Sequence, residues 1–270
     1  MIIAQQLPRR LSLKKPGHIE LIFCLCLFLL IQCVPVFAQM EGLRDLYEKA
    51  VNAYNKQQYA QAIEFYGQII KTVPTFAPAY NGMALANQAA SGDENKTIEY
   101  LKKAISYDPK LALAYDNLGR IYYSRQDVDN AEIYFKKALM VDPTISSSQL
   151  CLAWINLLVR SKPVTAIKYF KMVLKTTKDS KIYYGLGQAY FASNQRSEAM
   201  DMITKLYELG EDELAGRLEK SLRENSVVNT SVDTGLGNPS QPPPGLGPLA
   251  PTPDKPTGTK VHLRGKLSDY

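Results

Sequence analysis

Three prolines, Pro74, Pro109 and Pro143, stand 35 and 34 residues apart, and a similar phrase precedes each of them. The phrase reads Ala62-Ile63-Glu64-Phe65-Tyr66, then Thr97-Ile98-Glu99-Tyr100-Leu101, then Ala131-Glu132-Ile133-Tyr134-Phe135. It returns at Ala166-Ile167-Lys168-Tyr169-Phe170 and, more loosely, from Ala199. A unit of this length cannot bury an apolar face alone. A chain built from such units folds by stacking each on the next, with a core that runs through the array.

The unit reads as two helices. In residues 112–126, Leu113, Leu118, Ile121 and Tyr122 fall at near-helical spacing, and residues 129–141 repeat the pattern with Ala131, Ile133, Tyr134, Ala138, Leu139 and Val141. Gln126-Asp127 is the turn between them, with Asp127 or Asp129 available to cap the second helix. Asp142-Pro143 ends it, because proline lacks an amide donor and crowds the preceding turn.

With these residues in place the unit resembles the tetratricopeptide repeat, a pattern with small residues at its eighth and twentieth places and proline at its thirty-second. Residues 112–145 fit throughout, with Gly119, Ala131 and Pro143 at those places and Tyr115, Leu118, Tyr122, Phe135 and Ala138 between them. Residues 43–76 supply Ala50 and Ala62. Residues 77–111 carry Thr97 in place of alanine and one extra residue near Ser91-Gly92. Residues 146–179 have Lys178, and 180–213 Glu211, where proline is expected. The resemblance implies an all-α fold: a right-handed solenoid of antiparallel helix pairs over residues 43–224, closed by a polar helix, Asp212 to Arg223, with Leu214, Leu218 and Leu222 on one face.

The resemblance also implies a place for binding. In such proteins the second, fifth, ninth and twelfth places of the first helices line a concave groove. Here these are the aromatics Tyr47, Tyr54, Tyr123, Trp154, Tyr184 and Phe191, with Leu85, Leu150 and Leu157, and with Asn81, Gln88, Asp116, Arg120 and Gln188 as polar contacts. Trp154 is the expected anchor, and about a third of the aromatics are expected to pack on the next repeat instead. Co-chaperone repeats that clamp a terminal carboxylate use lysine and asparagine where this chain has Tyr47 and Val51, so that mode does not fit. An amphipathic helix or extended apolar peptide suits the groove better, and stacking on a glycan is the alternative.

The ends carry different signals. Arg9, Arg10, Lys14 and Lys15 precede an apolar run from Leu21 to Ile31, and Val36-Phe37-Ala38 supplies a small-x-small site. Residues 1–38 therefore read as a signal peptide cleaved near Ala38, giving a periplasmic or secreted protein. The other reading keeps residues 21–38 as an anchor with the repeats outside the cytoplasm. Residues 225–270 read as a disordered tail, with Pro242-Pro243-Pro244 inside a proline- and glycine-rich stretch.

Catalysis lacks an inventory. Of two histidines, His18 lies in the leader and His262 in the tail, so no imidazole falls in the repeats. Cys151 is the one cysteine beyond residue 38, no phosphate loop is present, and no metal or other cofactor is expected. The formal charge of +6 is halved when the leader is discounted, which argues against nucleic acid as a partner. Lys102-Lys103 and Lys136-Lys137 occupy equivalent places in two second helices and read as a solvated outer face. The expected function is an exported protein-interaction scaffold in an envelope or secretion assembly, and not an enzyme. Its membrane contact is expected only through an uncleaved N-terminal segment.

Overall fold

The computed structural model describes residues 41–224, so both the leader and the tail lie outside the described residues. The chain divides into two compact units, residues 1–46 and 47–270, and the helical array belongs to the second. Residues 41–55 form helix α1. There follow α2 (Tyr59–Thr72), α3 (Ala77–Ser91), α4 (Glu94–Tyr107), α5 (Ala112–Ser124), α6 (Val128–Val141) and α7 (Ser146–Trp154). After a π-helical turn (Ile155–Val159) come α8 (Pro163–Val173), α9 (Ser180–Ala192), α10 (Arg196–Glu208) and α11 (Asp212–Glu224). The described residues contain no strand. No described helix is long and apolar enough to cross a membrane.

In the second to fifth repeats each first helix packs most extensively on its own second helix, as an antiparallel hairpin array requires. Small residues set the approach. Ala62, Ala131, Ala166 and Ala199, all at the twentieth place, are fully buried. A Cβ built on Gly119 would stand 2.8 Å from the Phe135 ring, so this glycine is where α5 meets α6. Thr97 takes the small place in the second repeat and is also fully buried; its hydroxyl donates to the Asp93 carbonyl at 2.8 Å. A bond with the Gln88 side chain at 3.0 Å adds to this, so the extra polar atom is not left unsatisfied.

The helix ends follow the sequence signals. Val73, Asp108 and Asp142, each before a proline, are extended, with φ of −131°, −134° and −136°. Asp127 is the cap of α6, accepting from the Asn130 amide at 3.1 Å, while Asp129 lies inside the first turn. Asp93 and Asp179 cap α4 and α9 in the same way. Every turn within a repeat passes through one left-handed residue: Gln57, Gly92, Gln126, Ser161 or Asn194.

The fourth repeat departs from the others. Its second helix starts 17 residues after its first, against 16 in the third and fifth. The extra residue is absorbed by the π turn Ile155–Val159, in which the Arg160 amide reaches back to the Ile155 carbonyl. The Asn156 side chain, 4% exposed, donates to the Leu152 carbonyl at 2.7 Å. In the second repeat, where the two helix starts are also 17 residues apart, Asn87 makes the same bond to the Met83 carbonyl at 2.9 Å.

Candidate functional site

Neighbouring first helices touch directly through their third, fifth and sixth places. The Asn117 side chain on α5 donates to Asn81 Oδ1 on α3 at 3.0 Å. Ser148 Oγ on α7 donates to Asp116 Oδ1 on α5 at 2.5 Å. Asn81, Asp116, Asn117 and Ser148 are at most 1% exposed, and Asn81 Nδ2, Asn117 Oδ1 and Asp116 Oδ2 have no hydrogen-bond partner. Burial pushes the Asp116 carboxyl above the usual range, opposed by the Ser148 bond and by Arg120.

The structure sorts the expected lining residues into two groups. Leu85, Asp116, Tyr123, Leu150, Trp154 and Tyr184 are buried, whereas Tyr47, Tyr54, Arg120 and Phe191 are half-buried. Three of the six aromatics are thus buried. Trp154, the expected anchor, is 1% exposed; its ring meets Phe170 edge-on at 5.1 Å and closes over Gly185. Tyr123 lies in a cluster with Ala131, Phe135 and Cys151, and burial pushes its phenol up to about 12. Tyr184 accepts from the Gln188 side chain at 3.2 Å, and the Arg217 guanidinium from α11 lies 5.7 Å from its ring. Stacking on a sugar needs an open aromatic face, which these three rings do not present.

The half-buried residues keep a partly open side. Tyr47 packs edge-on against Tyr66 and Phe76 at 6.0 and 5.8 Å. Tyr54 meets Tyr59 at 5.5 Å; burial and Tyr59 raise its phenol, and Arg120 opposes them. Phe191 lies against the C-terminal cluster. The arrangement offers aromatic and guanidinium contact area at the margin and hydrogen-bonding groups beneath. Cys151 is no nucleophile: burial, and next Asp116, push its thiol well up. Among the described residues no three His, Cys, Asp or Glu gather as a metal site would need.

Two sets of positioning residues were not singled out from the sequence. Gly82 and Gly185, at sixth places, receive the Tyr66 and Phe170 rings of the preceding repeat, with a built Cβ only 2.2 and 2.6 Å from ring atoms. Their signal is a glycine 15 or 16 residues after an aromatic at the twenty-fourth place. Tyr80 and Gln149, at fourth places, donate to the carbonyls of Pro74 and Pro143 at 2.8 and 2.6 Å, tying the turn between repeats to the next helix.

Family models described as tetratricopeptide repeat match residues 46–75, 77–111, 112–145 and 180–212. The stretch between the last two is the repeat with the π turn. Over 138 residues the chain is 27% identical to the photosystem I assembly protein Ycf3 of Synechococcus sp. (strain CC9902), covering 47% of this chain and 79% of that protein. It is 32% identical over 107 residues to small glutamine-rich tetratricopeptide repeat-containing protein 2 of Mycosarcoma maydis, spanning 40% of this chain but only 29% of the fungal protein. Among solved structures, PilF of Pseudomonas aeruginosa superposes with a TM-score of 0.56 at 15% identity, over 71% of this chain and 95% of PilF. MamA gives 0.50 at 18% identity, over 71% and 99%. Repeat length, buried small residues, terminating prolines and these matches agree, and the chain belongs to the tetratricopeptide repeat family.

Proposed function

We propose that this protein is a non-enzymatic scaffold that binds a partner protein along its first helices, and that it does so as an exported component of an envelope or secretion assembly. One observation carries the binding reading. Half-buried Tyr54 and Arg120, near enough for the guanidinium to act on the phenol, and half-buried Phe191 stand at expected groove places of the first, third and fifth repeats, on helices whose deeper residues are packed and hydrogen-bonded. Aromatic and arginine side chains at a partly open margin are the groups that dominate protein interfaces. The name of the Synechococcus relative describes an assembly protein. Export rests on the basic, apolar and small-x-small order of residues 9–38.

The test must spare the packed residues, because Trp154→Ala would cost about 3–5 kcal/mol as a cavity and confound folding with binding. Photocrosslinkers at Tyr54 and Phe191 in the native cell identify the partner, whose affinity is then measured with purified proteins. Tyr54→Ala with Arg120→Ala is expected to weaken binding by at least about tenfold, or 1.4 kcal/mol, with an unchanged melting curve. Undiminished binding by this double variant would place the interface elsewhere. Cell fractionation with N-terminal sequencing tests export: a mature chain beginning near Gln39 outside the cytoplasm supports it, and a cytoplasmic chain removes it.

A further inference from the structure

The second helices carry a face that the binding reading does not use. On α6, Ile133, Lys136, Lys137 and Met140 follow at three- and four-residue spacing and so share one side. Met140 is 83% exposed and Ile133 49%. On α8, Val164 at 68%, Lys168 and Lys171 repeat the arrangement. The two helices are neighbours, since Tyr169 of α8 packs into the cluster that holds Ala131, Phe135 and Leu139 of α6. On the other flank α4 contributes exposed Lys102 and Lys103.

The acids within α4 and α6 are already engaged. Glu99 pairs with Lys103 at 2.8 Å, Glu132 with Lys136 at 2.6 Å, and Arg160 spends its charge on Asp129 and Glu132. Glu198 on α10 partly offsets Lys171. Lys102, Lys137 and Lys168 are left as a positive surplus around protruding aliphatic side chains. Lys137 holds its ammonium 5.2 Å from the Tyr134 ring, and Lys103 sits likewise 5.8 Å from Tyr100, so the pattern repeats along the array.

We propose that this face of α4, α6 and α8 docks on an anionic lipid surface. Its cations are lysines, point charges suited to a diffuse negative layer rather than to the forked pairing by which arginine reads a carboxylate partner. Its apolar groups are separate aliphatic tips, which can dip into a bilayer interface singly, and not the clustered aromatics of a protein hot spot. Charge complementarity and exposed methyl groups together match a membrane carrying acidic headgroups.

The experiment uses the full chain with Met140→Trp. The native Trp154 is 1% exposed, so the unsubstituted chain supplies the background. Emission is followed with vesicles of phosphatidylcholine alone and of phosphatidylcholine with phosphatidylglycerol, both with brominated acyl chains. Quenching of the new indole only by the phosphatidylglycerol vesicles, reversed at about 0.5 M salt, is the expected result. Adding Lys136→Glu and Lys137→Glu should weaken it by about tenfold or more, with the far-ultraviolet spectrum unchanged. Three results overturn the proposal. The chain sediments with vesicles while the indole stays unquenched, which assigns membrane contact to residues 21–38; both vesicle types quench equally; or soluble polyglutamate shifts the emission as the vesicles do, which makes the partner an acidic polypeptide.

Discussion

Single positions in this array differ sharply in what they tolerate, and the glycines show it best. A Cβ on Gly119 would lie 2.8 Å from the Phe135 ring, whereas one on Gly216, inside α11, meets nothing within 4 Å. Gly119→Ala is therefore expected to destabilise by about 1–3 kcal/mol through overpacking. Gly216→Ala should stabilise by about 0.5–1 kcal/mol by restricting the unfolded chain. Urea midpoints of the two variants measure both signs. Asp116 gives a pH-dependent case. Its folded carboxyl is raised by burial, so its stabilising contribution is full below the ordinary aspartate range and is lost as pH rises through the raised value. Asp116→Asn keeps an oxygen for the Ser148 hydroxyl and removes the buried charge. The variant should gain stability over the parent near neutrality, and the gain should shrink as pH falls into that range; a gap independent of pH would show that the charge is not the cause. The place of Asp116 on a first helix was legible from its number in the repeat. Its burial was not, because that depends on Ser148, which stands 32 residues away with no pattern to announce it.

Among the elements, the helix ends were the most legible, because they are set by local chemistry. Extended residues before Pro74, Pro109 and Pro143 and the Asp127 cap follow from steric clash and orphan amides alone. The π turn was hidden by its surroundings: residues 150–159 are apolar except for Asn156, so one added residue leaves the pattern unchanged. What marks the added residue is asparagine at the eleventh place, Asn87 and Asn156, in the two repeats that carry one. The third and fifth repeats have Tyr122 and Tyr190 there. Asn156, itself buried, supplies the Leu152 carbonyl with a donor. The Ile155 amide also reaches that carbonyl, so Asn156→Ala should cost about 0.5–1.5 kcal/mol, the net worth of one hydrogen bond. Asn156→Asp, which cannot donate when ionised, should cost at least as much. Equal melting temperatures for Asn156→Ala and the parent would mean that the carbonyl finds another donor.

At the scale of the whole array, the core is a succession of overlapping clusters. One joins α2 to α6, one joins α5 to α8, and one runs from α7 to α11. Each repeat leans on its neighbours, so damage should stay local. Leu218 of α11 is fully buried and fills the space over Gly187 of α9. Leu218→Ala is expected to cost about 2–5 kcal/mol. Hydrogen exchange should report it as faster opening of α9 and α10, with α3 and α4 unaffected; a uniform loss of protection would mean that the array opens as one unit. The rings of Tyr66 and Phe170 seated over Gly82 and Gly185 bear on how such a chain can change over time. After Leu101 the corresponding sixth place is Asn117, and after Phe135 it is Cys151. Each junction is thus a matched pair written half in one repeat and half in the next. Duplicating the first repeat or deleting the second would set the Tyr66 ring against Glu48 or Asn117 instead of a notch. At the two ring-and-glycine junctions, recombination that lengthens this molecule must carry both halves together, so the order of repeats there is inherited information and not a sequence of interchangeable parts.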